Sequence, residues 1–367
     1  SIPAALNFFY AVMWIGAITA FISASQAAVS SELKKVLAYS TVSQIGYMMM
    51  ALGAGGLTAS FITGYVGSLF HLMNHAVFKA ALFLASGSII HACGSRFLRD
   101  MGGWGKYMPI TFYSMLFAAL ALMSLPPFGG FWSKDLVLSV TRSAGEYAVF
   151  LIGVITAILT AFYSLRMIGL VFYGSSKEES REVHEAPKSM WIPYLILAAL
   201  SLIIGLVAPM LEHGLERIFS EYLLLSEISK VQEVGAVSFV VPTASILALI
   251  IGAIPAYLLY VKRAKDPGEI TSRHVSLEAI RKFLFRRYYL NAFYYRVIAY
   301  PSIRLGQLLF SGFERKVLDR FNYALSSATC GVSNAVRKVH TGVLNHYVIG
   351  MGVGALILLL IFLIGGA

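Results

Sequence analysis

The sequence predicts an all-α polytopic membrane protein. It has about eight transmembrane helices, one of them broken, and a long amphipathic lateral helix on the cytoplasmic face. Three observations carry this. Of 367 residues, 58% are hydrophobic and only 13% are charged, with a mean hydropathy of +0.73, whereas soluble domains carry about 25% charged residues. Apolar stretches of about 20 residues, enough to cross the hydrocarbon core, recur along the chain. Residues 274–340 break that pattern with a strongly basic, aromatic stretch.

The spans are expected at roughly 4–29, 36–56, 58–92, 108–141, 146–173, 190–210, 237–261 and 343–364. The first begins within a few residues of Ser1, with no basic leader and no cleavage site, so the chain reads as the C-terminal portion of a longer protein. The second carries Ser43, Gln44 and Tyr47. The third and fourth exceed the roughly 20 residues a crossing needs, so they are tilted, extended or broken. The fourth declares a break at Pro126, Pro127, Gly129 and Gly130, and a helix restarting near Phe131 places Lys134 and Asp135 in its first turn. The fifth ends near Arg166, which reads as a snorkelling anchor.

Loop charge sets the orientation. One side holds Lys34, Lys35, Arg96, Arg99, Lys106, Lys177, Arg181, Lys188, Lys262, Arg263 and Lys265; the other holds only Arg142, Arg217 and Lys230, beside Glu212, Glu216, Glu221, Glu227 and Glu233. The first side is therefore expected to be cytoplasmic or its organellar equivalent. Residues 274–340 carry eleven Lys/Arg against Glu278, Glu314 and Asp319, interleaved with aromatics such as Phe283, Tyr288, Tyr295 and Phe313. Between two membrane spans this reads as a helix lying on the bilayer rather than as a nucleic-acid surface. It could reach on the order of 100 Å, less any bend at Pro301.

Ionisable groups inside spans are costly and mark function. His71, His75 and Lys79 recur every four residues, so they form one stripe advancing about 6 Å per step. A histidine passes protons near neutrality, and a lysine held in a low-dielectric interior releases its proton more readily. Steps of that length call for bridging water. Lys134 and Asp135 lie just past the break, where freed backbone groups line cavities and ion paths. Singly, His71 or His75 reads as a satisfied interior histidine, Lys79 as snorkelling and Lys134–Asp135 as a membrane-edge loop; jointly they read as a relay. Milder polar groups within spans are Ser68, Asn74, Ser86, Tyr113 and Tyr163. Cys93 and Cys330 are far apart, without a ligand spacing, and no nucleotide-binding glycine loop is present. No cofactor or metal is expected in this chain.

Five stretches, "SELKKVLAYSTVSQIGYMMMALG" (31–53), "FHLMNHAVFKAALFLASGSI" (70–89), "MGGWGKYMP" (101–109), "LPPFGGFWSKD" (125–135) and "HEAPKSM" (184–190), resemble the antiporter-like subunits of respiratory complex I. Subunit L and its F420H2 dehydrogenase, plastid and cyanobacterial relatives are most similar. The resemblance covers nearly the whole chain. It implies that 1–173 is the second of two inverted five-helix repeats forming a proton half-channel. It further implies that 174–261 adds two helices, that 262–342 is the lateral helix, and that 343–367 anchors it. Lys79 corresponds to the family's central lysine, His71 and His75 to the histidines leading to it, and Lys134 to the lysine of the broken helix, followed by Asp135. The implied partners are M- and N-type antiporter-like subunits, the first repeat missing from this chain, and the lipid bilayer, with no nucleic acid. The implied place is a prokaryotic cell membrane. The implied activity is non-redox proton translocation within an NADH-, F420H2- or ferredoxin:quinone oxidoreductase. A multi-subunit Na⁺/H⁺ antiporter subunit and a structural clamp of the membrane arm are the competing readings.

Overall fold

The computed structural model describes residues 2–58, 61–174, 184–222, 239–273 and 275–365. The expected loop charges Lys177, Arg181, Lys230, Glu227 and Glu233 lie outside the described residues, as does the first part of the span placed at 237–261. The described chain is helical almost throughout and divides into two units, Ser1–Tyr288 and Tyr289–Ala367.

In the first unit, α1 (Ile2–Val29) and α2 (Leu33–Gly56) form a hairpin. Side chains nearly vanish at their contact. A Cβ added to Gly16 would stand 2.5 Å from Met50 N, and one added to Gly46 would stand 2.6 Å from Ala20 N. Apolar lipid gives helices no hydrophobic reason to associate, so backbone approach through small residues supplies the packing. Ser43 Oγ adds a bond to Ala20 O at 2.9 Å.

The central helix is α3 (Phe61–Cys93), which packs against α2, α4 (Pro109–Leu122), α5 (Gly129–Ser143) and α7 (Lys188–Leu206). Its 33 residues reach about 50 Å, more than the roughly 30 Å of hydrocarbon. α6 (Tyr147–Phe172) packs on α1 and on α9 (Val240–Ala256). α8 (Ala208–Tyr222) follows α7 directly.

Six helices among the described residues are long and apolar enough to cross a bilayer: 4–29, 61–93, 147–172, 188–206, 240–261 and 344–365. The two other expected spans are different objects. α2 has the length but carries two lysines and several hydroxyls. The fourth expected span is two short helices, α4 and α5, separated by residues 123–128.

Backbone accounting explains that break. Ser124 adopts φ 64°, the left-handed turn that ends a helix. The last carbonyls of α4 still find donors: Ala119 O takes Met123 N at 2.9 Å, Leu120 O takes Leu125 N at 3.1 Å, and Ala121 O takes Ser124 N at 3.1 Å. The Pro126–Pro127 bond is cis. α5 restarts at Gly129, earlier than the expected Phe131, so Lys134 and Asp135 stand in its second turn. The glycines permit this start: a Cβ on Gly130 would meet Ala121 O at 1.9 Å, and one on Gly129 would meet Asn74 Oδ1 at 1.9 Å. α7 closes over the break, where a Cβ on Gly205 would stand 2.0 Å from Pro127 O.

The basic segment is not one helix. α10 (Pro267–Arg273) and α11 (Val275–Phe285) belong to the first unit, and α11 packs on α1. Gln26 Nε2 donates to Leu284 O at 3.1 Å, and the Ser25 and Tyr288 hydroxyls meet at 2.5 Å. The chain then turns through Arg287, Tyr288 and Tyr289, all at φ near +55°, a costly run for residues with side chains.

The second unit follows: a continuous helical stretch from α12 (Leu290–Phe293) through α13 (Tyr300–Leu309) to α14 (Asp319–Val339), then α15 (Leu344–Gly365). Pro301 does not interrupt the helical stretch. A wide turn over Tyr294–Ala299 precedes the proline, which sits in the first turn of α13, where its missing N–H costs little.

The glycine contacts make a stability prediction. Gly46→Val forces α1 and α2 apart and is expected to cost about 1–3 kcal/mol or more. Gly87→Ala, with nothing within 4 Å of its Cβ, is expected to be neutral or to stabilise by about 1 kcal/mol. Thermal unfolding of the detergent-solubilised protein compares them; equal midpoints would refute the close-packing account.

Candidate functional site

The polar row of α3 is buried: His71 is 0% exposed, His75 and Lys79 5% each, and Lys134 of α5 3%. The stripe faces α2 and α5, and these supply its partners. Lys79 Nζ donates to Ser40 Oγ at 2.5 Å, and Ser40 in turn donates to Leu37 O at 2.9 Å. The Phe83 ring lies 6.0 Å from the same ammonium.

His71 is held at both ring nitrogens. Nε2 lies 2.9 Å from Gln44 Oε1, and Nδ1 lies 2.9 Å from Ser133 Oγ. An amide oxygen only accepts, so Nε2 carries a hydrogen in either charge state. The charge state is then expressed at Nδ1. Neutral His71 accepts from the Ser133 hydroxyl. Protonated His71 donates to it, and Ser133 turns its own hydrogen to Gly129 O, 3.1 Å away in the first turn of α5. A proton on His71 is thereby read out at the start of the restarted helix.

His75 continues the stripe with its ring 6.5 Å from that of His71 and 5.4 Å from Phe78. Its Nε2 has no protein hydrogen-bond partner.

Lys134 uses the break itself. Its Nζ donates to Leu122 O at 3.0 Å, the one carbonyl of that last turn that the turn's own amides leave to a side chain. It also stands 5.5 Å from the Tyr47 ring, whose hydroxyl donates to Gly153 O at 2.5 Å. Asp135 takes a different direction, accepting from Ser245 Oγ of α9 at 3.0 Å. Adjacent helix residues diverge by about 100°, so the two charges do not share one site. Arg166, expected to snorkel to an interface, is held within the protein instead. Its Nη1 donates to Ser30 O at 3.0 Å, at the end of α1, and its guanidinium faces the Tyr260 ring.

Sequence reasoning found the ionisable groups and missed the hydroxyls that hold them, Ser40 and Ser133. The available signals were local: Ser40 precedes Gln44 by one helical turn, and Ser133 adjoins Lys134. Thr111 and Tyr194, joined at 2.6 Å and tied to Glu185, were also missed; they fasten α4 to α7 away from this row.

Residues 3–160 match a family described as NADH:quinone oxidoreductase/Mrp antiporter, transmembrane. That stretch of the chain, less than half of its 367 residues, is similar to this family. It contains α1 to α5 and every residue of the polar row. The chain is 32% identical to NADH-ubiquinone oxidoreductase chain 5 of Mycosarcoma maydis over 95% of its length, covering 52% of that protein. It is 32% identical to F(420)H(2) dehydrogenase subunit L of Methanosarcina mazei over 95% of its length, covering 54% of that protein. The chain thus spans about half the length of the curated relatives it matches. The structure of an Mrp complex from Dietzia sp. superposes with a TM-score of 0.54 over 61% of this chain and 49% of that one, at 22% identity, which shows a shared fold. The chain is a multi-pass integral membrane protein.

Two lysines buried against neutral oxygens do not serve stability. Lys134→Met removes a buried ammonium and with it the cost of its desolvation, which favours folding. It leaves Leu122 O unpaired, at a cost of about 1–3 kcal/mol. The expected net effect on the thermal midpoint is small. A drop of more than about 3 kcal/mol in equilibrium unfolding, beyond what one unpaired carbonyl costs, would show that Lys134 is a packing residue.

Proposed function

We propose that this chain is the second half of the proton-conducting machinery of a non-redox membrane subunit in a complex I-type quinone oxidoreductase. Electron transfer in other subunits, from NADH, F420H2 or ferredoxin to quinone, drives protons through its lysine, histidine and water relay. One observation carries the reading: a row of buried groups that can gain and lose protons, Lys79, His75 and His71, beside a lysine, Lys134, bound to a carbonyl freed by a helix break.

The roles follow from the contacts. Lys79 is the central donor and acceptor, with Ser40 as its fixed neighbour. His71 takes a proton at Nδ1 and signals it through Ser133. Lys134 is the terminal group at the break, and its bond to Leu122 O competes with any charge that arrives nearby. His75 lies between Lys79 and His71 on the stripe and requires water to join them. Asp135 serves on the α9 side, beside Ser245, as the acidic group past the lysine. The missing first repeat, the M- and N-type neighbours and the prokaryotic membrane belong to the same proposal. So does docking of the second unit, whose apolar side chains are exposed throughout, against neighbouring membrane subunits and lipid.

The resemblance of fold to an Mrp complex supports a second reading, a subunit of a multi-subunit Na⁺/H⁺ antiporter. The row of nitrogen groups favours H⁺ over Na⁺ as the ion handled here, since Na⁺ seeks oxygen ligands. Purification of the intact complex separates the two: iron–sulfur centres in the assembly support the oxidoreductase, and their absence supports the antiporter.

The direct test is proton uptake by inverted vesicles bearing the full assembled complex during electron transfer. Lys79→Ala and Lys134→Ala are each expected to lower protons moved per electron at least several-fold, with subunit content unchanged. Parent-like ratios in both variants would refute the relay.

A further inference from the structure

The stripe on α3 leaves a gap. His75 lies between Lys79 and His71, yet it bonds to neither, and its Nε2 has no protein partner. A second line between the same ends runs through α2. Lys79 is bonded to Ser40, His71 is bonded to Gln44, and Ser40 and Gln44 are one helical turn apart on the same face. What stands across from both is Tyr163 of α6. It is 0% exposed, and its hydroxyl faces Ser40, Gln44 and Thr160.

At this spot the Tyr163 hydroxyl lies within reach of three side chains, Thr160, Ser40 and Gln44, and neither it nor Gln44 Nε2 is held in one well-aligned hydrogen bond. Buried polar groups usually settle on one well-formed bond, so a hydroxyl shared among several neighbours marks a place that adapts. Their chemistry is complementary. Gln44 Nε2 only donates, and a phenolic oxygen accepts as well as donates. Ser40 Oγ can accept from the phenol while it receives the ammonium of Lys79. Thr160 donates to Thr156 O at 2.9 Å and can only accept from the phenol, so it is a fixed third neighbour. Tyr163 is thus the group placed to touch the partner of Lys79 and the partner of His71 together.

We propose that Tyr163 is a positioning residue that couples Lys79 to His71 through Ser40 and Gln44, along a line parallel to the His75 stripe. When Lys79 is charged it donates to Ser40, which leaves the Ser40 oxygen a poorer acceptor for the phenol and favours contact of Tyr163 with Gln44. When Lys79 is neutral its nitrogen can accept from Ser40, and the hydroxyl of Tyr163 turns to the Ser40 oxygen. The Gln44 amide, and with it the Nε2 side of His71, then changes partner with the state of Lys79. No proton need cross Gln44; the amide transmits orientation. The inference rests on the relay reading above.

The test uses the full assembled complex in inverted membrane vesicles, reading protons moved per electron with assembly checked. Tyr163→Phe removes only the oxygen. The expected result is a fall of about threefold or more, a fall no deeper in Tyr163→Phe with Gln44→Leu than in Gln44→Leu alone, and a much deeper fall when His75→Ala is added, because two parallel lines are then lost. A purely structural tyrosine would not show that pattern of dependence on its partners. A parent-like ratio in Tyr163→Phe, while Lys79→Ala fails to pump, overturns this inference and leaves the relay standing. Losses that simply multiply with both Gln44→Leu and His75→Ala also overturn it. Parent-like pumping in Lys79→Ala refutes the relay itself, and this inference with it.

Discussion

The rest of the structure depends on one constraint, that a helix interrupted inside a membrane must satisfy every carbonyl it frees. Hydrocarbon offers no donors, and each buried orphan costs about 1–3 kcal/mol. In the last turn of α4, three carbonyls are met by the chain's own amides as it folds back through Ser124 and Leu125. The fourth, Leu122 O, is met by Lys134. This single bond ties the geometry of the break to the charge of a side chain. Anything that draws the lysine away strands a carbonyl, and anything that stabilises the carbonyl elsewhere loosens the lysine. The break and the ionisable group are thus one device.

The neighbouring helices are shaped around that device. α7 closes the break with a glycine where no side chain fits, and α3 brings Asn74 against Gly129. α5 can then present Ser133 to His71 and Lys134 to the break from consecutive positions. The glycine contacts between α1 and α2 matter for the same reason at one remove. They hold α2 in place, and α2 carries Ser40 and Gln44, the two residues that grip Lys79 and His71. A hairpin packed through backbone has little freedom to slide, so the partners of the polar row keep their register.

Much of this was legible in the sequence. The stripe of His71, His75 and Lys79 follows from helical period alone, and Pro126–Gly130 announces a break because prolines and paired glycines do not sit idly in a span. Other features depend on tertiary contact. The restart at Gly129 rather than near Phe131 comes from how closely α5 approaches Ala121, which no local pattern encodes. Asp135 looked like a partner of Lys134 because the two are adjacent in sequence, but adjacency on a helix separates side chains. Ser40 and Ser133 were overlooked because a serine in an apolar helix usually bonds its own backbone, as both of these also do. Pro301 leaves the helical stretch continuous because a wide turn precedes it and places it in the first turn of α13. The real turn, at Arg287–Tyr289, uses residues with no special liking for left-handed backbone.

That turn is fastened from within the first unit. Arg287 and Tyr288 stand at positive φ, a conformation that residues with side chains hold only with support. α11 and α1 supply part of it through Gln26–Leu284 and Ser25–Tyr288. α1 is also the helix that fixes α2 through close backbone contact. One helix therefore carries both the support of this turn and the register of Ser40 and Gln44, the partners of Lys79 and His71.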